Sequence, residues 1–343
     1  MGGTLRGPLG WALAAVLIIA GCGGSGTAAP SAASTPKLGS ADRPIVLAIT
    51  PSAEVQRLTT TGNAIAAALG RTTGLNWKVI VPTSYAAEIE SVCAGQTDVA
   101  LIAPLQMTLL LDKQCGQPIL AALRNDEKCN LSPSYNSQIL VRTDSGINDI
   151  NGLKGKKFAF VDPVSASGYL FPNLIVKNKT GQEPKTFFSS TIFAGGHPQA
   201  VLALYNGSVD GAASFGDARL LSPCPPAQLA PGMPADVLQT TKIIEAAGPI
   251  PNDGIAVRTG LPADVTAQVK SALLDYATTT DGKANYKSLF QWDGLKEVTP
   301  SFFDSIRDAA KLAGIDVAGI AAQTPRPPAT PAPSPSPSPS KTP

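Results

Sequence analysis

Phe158-Ala-Phe-Val-Asp-Pro-Val-Ser-Ala-Ser-Gly-Tyr-Leu170 compresses a strand, a turn and the start of a helix into one run. Phe158 to Val161 is an unbroken apolar stretch of the kind carried by strands buried on both faces. Asp162-Pro163 is a turn dipeptide that ends it. Ser165, Ala166, Ser167 and Gly168 then lead into a helix beginning near Tyr169. Such a helix leaves its first N–H groups without intrahelical partners, at the positive end of its dipole, and only small side chains surround them here. Two readings of Ser165 and Ser167 stand side by side. One is a helix N-cap. The other is a pair of hydroxyl donors in an anion site that also uses those N–H groups.

The same alternation extends both ways along the chain. Strands are expected at 44–49, 77–81 and 98–102, separated by helices at 54–69 and 85–94 that stop at Gly70 and Gly95. Further strands are expected at 138–142, 157–161, 186–188, 211–214 and 253–258, with helices at 167–177, 198–206, 262–276 and 300–313. Short buried strands alternating with helices of about 10–15 residues predict an α/β sheet with parallel strands. Two such series predict two lobes, each a sheet flanked by helices, with a cleft between them. Ligands of open α/β sheets sit at the carboxyl ends of the strands. The chemistry is therefore expected in the loops leaving 157–161, 186–188 and 98–102.

The ends of the chain read differently. One positive side chain, Arg6, precedes the apolar run from Trp11 to Ala20. As a helix that run is only about 15 Å long, against ~30 Å of hydrocarbon in a bilayer. It has the layout of a secretory signal. Ile19-Ala20-Gly21-Cys22 resembles the bacterial lipobox, in which the cysteine receives a diacylglycerol thioether and becomes the new N-terminus. The expected organisation is a signal at 1–21, a Gly/Ser/Ala/Thr/Pro spacer at 22–43, one lobe from 44–135 with 245–322, a second lobe at 136–244, and a disordered Pro/Ser tail at 323–343.

The chain of 343 residues carries 27 Lys and Arg against 25 Asp and Glu, a formal charge of +2 that argues against gripping nucleic acid by bulk charge. A hydrophobic share of 43 % excludes disorder for most of it. The single histidine excludes two-histidine zinc sites and the HExxH metalloproteases. Apart from Cys22 the cysteines are Cys93, Cys115, Cys129 and Cys224, an even number outside the cytoplasm with three possible pairings. Cys93 and Cys115 fall near the ends of successive expected helices, which favours Cys93–Cys115 and Cys129–Cys224. There is no CxxC and no histidine beside a cysteine, so no metal or cofactor is expected.

Two further segments carry candidate residues. In Phe193-Ala-Gly-Gly-His-Pro-Gln199, Pro198 stands where a helix begins, so His197 lies in a glycine-rich turn at a helix N-terminus. It is either a structural histidine or an imidazole donor to an anion. In Pro82-Thr-Ser-Tyr-Ala-Ala-Glu88, Tyr85 opens a helix and is either a packing residue or a hydroxyl donor from the opposite lobe. Enzyme signatures fail: position 163 is Pro where GxSxG needs Gly, and Gly155-Lys-Lys157 lacks the leading glycine and the Ser/Thr of a P-loop.

Tyr85-Ala-Ala-Glu-Ile-Glu90, Gly95-Gln-Thr-Asp-Val-Ala100, Asp144-Ser-Gly-Ile147, Leu153-Lys-Gly-Lys156, Phe158 to Tyr169, Gly196-His197, Leu204-Tyr-Asn-Gly-Ser-Val-Asp210 and Ile250-Pro-Asn-Asp253 occur in the same order as in the phosphate/phosphite/phosphonate ABC-transporter substrate-binding proteins. The resemblance covers about residues 44–315, and Asp162-Pro-Val-Ser-Ala-Ser-Gly-Tyr169 is its most specific piece. It implies a type II two-lobed binding-protein fold, no catalysis, a small oxyanion ligand, an ABC permease as partner and a monomer at the outer face of the membrane. It also implies roles. Ser165, Ala166, Ser167, Gly168, Tyr169 and His197 resemble the oxyanion-holding elements, and Tyr85 the contact from lobe one. Pro104 and Gln106 lie where relatives place Gly-Pro followed by an aromatic, an aromatic this chain lacks. Asp217 lies where phosphonate binders place an acid for a ligand amine. As a cleft acid it favours an amine-bearing ligand; as a capping acid it favours phosphite or a small alkylphosphonate. Receptors of the same fold for sulfonates, pyrimidines or thiamine-type ligands are the alternative class.

Overall fold

The computed structural model describes residues 36–126, 128–316 and 319. The expected signal, Cys22, most of the spacer and the Pro/Ser tail lie outside the described residues. In chain order the first elements are β1 (Ile45–Ile49), α1 (Val55–Thr73), β2 (Trp77–Ile80), α2 (Tyr85–Cys93), β3 (Val99–Ile102), α3 (Pro104–Asp112) and β4 (Gly116–Asn125). Then come β5 (Ser134–Arg142), β6 (Lys157–Phe160), α4 (Phe171–Thr180), β7 (Ser190–Phe193), α5 (His197–Tyr205), β8 (Gly211–Phe215) and β9 (Thr241–Pro251). The chain closes with β10 (Gly254–Arg258), α6 (Ala263–Thr278), α7 (Thr280–Phe290), β11 (Gly294–Glu297) and α8 (Asp304–Ala313).

The strands form two main sheets, in the orders β11-β4-β10-β3-β1-β2 and β9-β5-β8-β6-β7. The chain passes between them twice, from β4 to β5 and from β9 to β10. Both sheets are mixed, not parallel throughout. β1 runs parallel to β2 and β3, but β10, β4 and β11 pair antiparallel, as do β9 with β5 and β5 with β8. Three of those strands, β4, β9 and β11, have no counterpart among the expected ones. Alanines dilute β4, and Gly248-Pro249 interrupts the pattern of β9, so neither carries the β-branched run that marks a strand. The expected strand at 186–188 is instead a helical turn, Pro184–Phe187, opened by proline at its first position. The strand is β7, which starts four residues further on and is exposed along its length at the sheet edge. Lobe two also runs to the end of β9 rather than to 244.

Local signals place the ends of the elements. α1 buries Leu58, Ile65 and Leu69 on one face, and Gly74 in the left-handed region ends it with its N–H bonded to Gly70 O. Ser84 caps α2 by accepting from Ala87 N–H at 3.1 Å. Residues 37–43, expected as spacer, fold onto the first sheet. Ser40 bridges Arg43, and Gly39 O accepts from Asn76 N–H. Disulfides join Cys93 to Cys115 and Cys129 to Cys224. One apolar cluster spans both lobes, with Ala48, Tyr85, Ile102 and Leu105 from the first meeting Val164, Ala166 and Leu170 from the second. α8 packs on α3 and α4 with Ile306, Ala309 and Ala313 inward. No described helix is long and apolar enough to cross a membrane.

Candidate functional site

Three loops converge where the lobes meet. The loop after β6 bends back on its own strand: Val161 N–H donates to Gly168 O, and a wide π-type turn runs over Ala166–Leu170 before α4. Only glycine fits at 168, because a Cβ there would lie 2.4 Å from Val161 Cβ. Gly168→Ala is therefore expected to displace the turn, cost about 1–3 kcal/mol of stability and weaken ligand binding. Urea unfolding and calorimetry check this; an unchanged midpoint with unchanged affinity would contradict it.

A cavity of about 60 Å³, room for about four waters, lies between the lobes. Lobe one lines it with Thr50, Ser52, Arg57, Tyr85, Arg124 and Asp253, and lobe two with Ser165, Ser167, His197 and Phe215. The hydroxyl of Ser165 accepts from Gly168 N–H at 3.0 Å, and that of Ser167 accepts from Tyr135 O–H at 3.4 Å. Ser165 thus caps the turn with a lone pair, and its hydroxyl lies in the cavity wall. His197 Nδ1 accepts from Phe215 N–H at 3.3 Å and lies 3.2 Å from Ser214 Oγ, which assigns the ring proton to Nε2. Burial, with Arg124 nearby, pushes that imidazole down to about 3, so it is a neutral donor. The buried Tyr85 hydroxyl lacks a partner among the described residues.

Arg124 was not among the expected site residues, nor was Asp253 given a role. The guanidinium packs against the rings of Tyr135 and Phe215, which meet edge to face, its carbon 4.9 and 5.1 Å from their centroids. Its Nε donates to Phe290 O at 3.2 Å and its Nη2 to Asp253 Oδ2, leaving Nη1 without a partner among the described residues. Asp253 Oδ2 also accepts from buried Trp292 Nε1 at 3.1 Å. Arg57 reaches the wall from α1 and donates to Ser288 O and Leu289 O. The signal for Arg124 was a lone arginine closing the apolar run Ile119 to Leu123, legible only once that run is taken as a strand.

The other expected residues lie elsewhere. Pro104 is the buried first residue of α3. Gln106 is a connector behind the cavity. Its Oε1 accepts from Ala103 N–H and lies 3.0 Å from Thr50 Oγ1, and its Nε2 donates to Tyr85 O and Glu88 Oε2. Ala103 has no side-chain oxygen, so only this half of a capping box exists. Ala166 packs in the lobe-spanning cluster, though its N–H and that of Ser167 have no partner among the described residues. Tyr169 packs its ring 5.1 Å from Phe160 and 5.5 Å from Phe193, away from the cavity. Asp217 is the capping acid of the two readings: Arg219 Nη2 donates to it at 2.6 Å, and it accepts from Arg219 N–H.

Contacts between the lobes close the cavity. His197 N–H donates to Ser52 O at 3.1 Å, and Gln291 Nε2 donates to Leu220 O. Asp162 Oδ1 accepts from Val164 N–H at 2.7 Å, and the carboxylate also meets Tyr85 N–H from the other lobe. Burial raises Asp162 to about 6.

Two mixed α/β sheets, a double crossing and a polar cavity between the lobes define a two-lobed periplasmic binding protein. The fold is shared with the binding-protein component of an ABC phosphonate transporter from Pseudomonas aeruginosa, at a TM-score of 0.68 and 21 % identity over 79 % of this chain and 86 % of that one. Residues 47–303 match the family of ABC-transporter phosphonate periplasmic substrate-binding proteins, and the chain belongs to that family. It is a family of transport receptors, not of enzymes. Among curated relatives, the chain is 34 % identical to the Phosphate-import protein PhnD of Mycolicibacterium smegmatis over 179 residues, 50 % of this chain and 54 % of that protein. It is 27 % identical to the Phosphonates-binding periplasmic protein of Escherichia coli over 217 residues, 62 % and 60 % of the two chains. The chain thus spans little more than half the length of these curated relatives.

Proposed function

We propose that this protein is an extracytoplasmic receptor that captures a small phosphorus oxyanion between its lobes and presents it to an ABC permease. The supporting observation is the direction of the hydrogen-bonding groups in the cavity. Ser165, Ser167 and His197 have their acceptor atoms occupied within the protein, while their protons, Arg124 Nη1 and the Tyr85 hydroxyl remain for a guest. Beside one carboxylate, Asp253, whose Oδ2 is held by Arg124 and Trp292, these donors suit a guest made of acceptors, and hydrogen bonds to a charged oxygen are the strong ones. The relatives named for phosphate import and phosphonate binding agree in ligand chemistry. With Asp217 held by Arg219, phosphite, phosphate or a small alkylphosphonate suits the cavity better than an amine-bearing phosphonate. Closing of the lobes on the ligand is a hinge equilibrium that the ligand biases. The lipobox at Cys22 supports a lipid tether to the outer face of the membrane, with a monomer as the working unit.

A thermal-shift and calorimetry panel of phosphate, phosphite, methylphosphonate, 2-aminoethylphosphonate, methanesulfonate, a pyrimidine and thiamine tests the reading. A phosphorus oxyanion is expected to raise the melting temperature by mass action. Stabilisation by thiamine, the pyrimidine or methanesulfonate alone would overturn it in favour of the alternative class.

A further inference from the structure

The backbone crosses between the lobes twice, and a disulfide joins them a third time. Cys129 belongs to lobe one, in the tight hairpin that follows β4. There Leu131-Ser132 pairs back on Asn125 and Arg124, and Asp126 Oδ1 accepts from Asn130 N–H and Lys128 N–H. Cys224 belongs to lobe two, in the loop 216–233 that leaves β8. That loop leans over the cleft: its Ala218, Leu221, Ala230 and Pro231 line the cavity between the lobes. It is braced on its own lobe, where Leu220 pairs with Leu229 and Arg219 holds Asp217 and donates to Thr241 O at 2.8 Å. Beside the disulfide, an open chamber of about 740 Å³, walled by Asn125, Lys128, Asn136, Asp217 and Pro223, separates the hairpin from the loop. Side-chain packing therefore does not fix the spacing there. The bond between Cys129 and Cys224, with their Cα atoms 5.3 Å apart, does.

Building on the receptor reading, we propose that Cys129 and Cys224 are positioning residues for the ligand: their disulfide staples one wall of the cavity to lobe one and limits how far the lobes part. Bridged Cα atoms stay within about 7 Å of each other. Two strand crossings alone leave the lobes free to bend and to twist about the hinge, and a third covalent link removes part of that freedom. Opening must then either carry the loop 216–233 along with the hairpin or bend it against its own pairing and Arg219. A stapled open state gains less conformational entropy, so the closed, ligand-binding state holds a larger share of the molecules. Apparent affinity scales with that share. The other disulfide makes no such link. Cys93 ends α2 and Cys115 precedes β4, both in lobe one, so that bridge is an internal comparison.

The test cuts each bridge in turn in the whole protein: Cys129→Ser with Cys224→Ser and, for comparison, Cys93→Ser with Cys115→Ser. Small-angle scattering without ligand reads the opening. Calorimetry and stopped-flow release of phosphate and methylphosphonate read its consequence. Cutting the lobe-crossing bridge is expected to enlarge the ligand-free radius of gyration, which saturating ligand returns to the parent's value. If about one molecule in ten then remains closed, the dissociation constant rises about tenfold, through faster release. Cutting Cys93–Cys115 is expected to lower the melting temperature and leave the radius and the release rate unchanged. Should the first variant fail to fold, the folded Cys93→Ser, Cys115→Ser protein is measured before and after treatment with a phosphine reductant, its only remaining bridge among the described residues being the one in question. An unchanged ligand-free radius, an unchanged release rate, or equal effects from cutting either bridge would each overturn the staple and leave the receptor reading intact. If no phosphorus oxyanion binds the parent protein, the receptor reading fails and the positioning role fails with it.

Discussion

Replacing Ser165 and Ser167 together by alanine is expected to weaken binding of the phosphorus oxyanion by about 10²–10⁴-fold. Each hydroxyl lines the cavity and accepts one bond from within the protein, Ser165 from Gly168 N–H and Ser167 from Tyr135 O–H, so in the proposed receptor each has its proton to donate to the ligand. A hydrogen bond to a charged group contributes about 1.5–3 kcal/mol, and two of them give that range. The single variants separate binding from folding. Ser165→Ala also removes the cap of the turn and should cost about 1 kcal/mol of stability. Ser167→Ala leaves the cap in place and should lose affinity at nearly constant melting temperature. Calorimetry beside thermal unfolding reads both, and unchanged affinity in Ser167→Ala and in the double variant would remove the turn from the site.

The second large effect concerns Glu88, a fully buried acid behind the cavity. Thr50 O–H and Gln106 Nε2 donate to its Oε2 at 2.6 and 2.8 Å, and its Oε1 has no partner among the described residues. Burial outweighs those two bonds and raises the group from 4.5 to about 8, so it is neutral in the folded protein at pH 7. The unfolded chain gives up that proton near 4.5. Between about 4.5 and 8 the folded state therefore holds a proton that the unfolded state lacks, and stability falls as pH rises through this window, levelling off above it. Glu88→Gln keeps the shape, keeps an acceptor for Thr50 and Gln106, and has nothing to titrate. Its stability relative to the parent is expected to rise with pH, reaching on the order of 2–5 kcal/mol by pH 8 and approaching a constant offset near pH 4.5. Urea midpoints at four pH values check this, and a difference that does not change with pH would refute the buried neutral acid.

The distribution of what was legible follows the range of the interactions. The turn at 162–168 was readable because its determinants are neighbours: a proline, two serines and a glycine act within a few residues of one another. His197 was readable as a helix opening for the same reason, since Pro198 beside it fixes where α5 starts. The strand at 186–188 was misplaced because Thr186 to Phe193 is one β-prone run and Pro184 alone shifts its first part into a helical turn. Pro104 and Gln106 were placed with the ligand by resemblance, but the helix they open turns Gln106 toward Glu88 and the back of Tyr85.

The order of the strand–helix units, the small-residue turn at Ser165–Gly168, the helix start at His197 and the even set of exported cysteines come from the amino-acid sequence by itself, because backbone preference and side-chain size act locally. The charge balance of the cavity was decided by the tertiary structure. Arg124 and Asp253 stand 129 residues apart and meet only because β4 and β10 pair in one sheet. Asp217 is claimed by a guanidinium two residues away, whose orientation depends on bonds to Thr241. Electrostatic pairing depends on distance through space, and only the folded chain sets that distance.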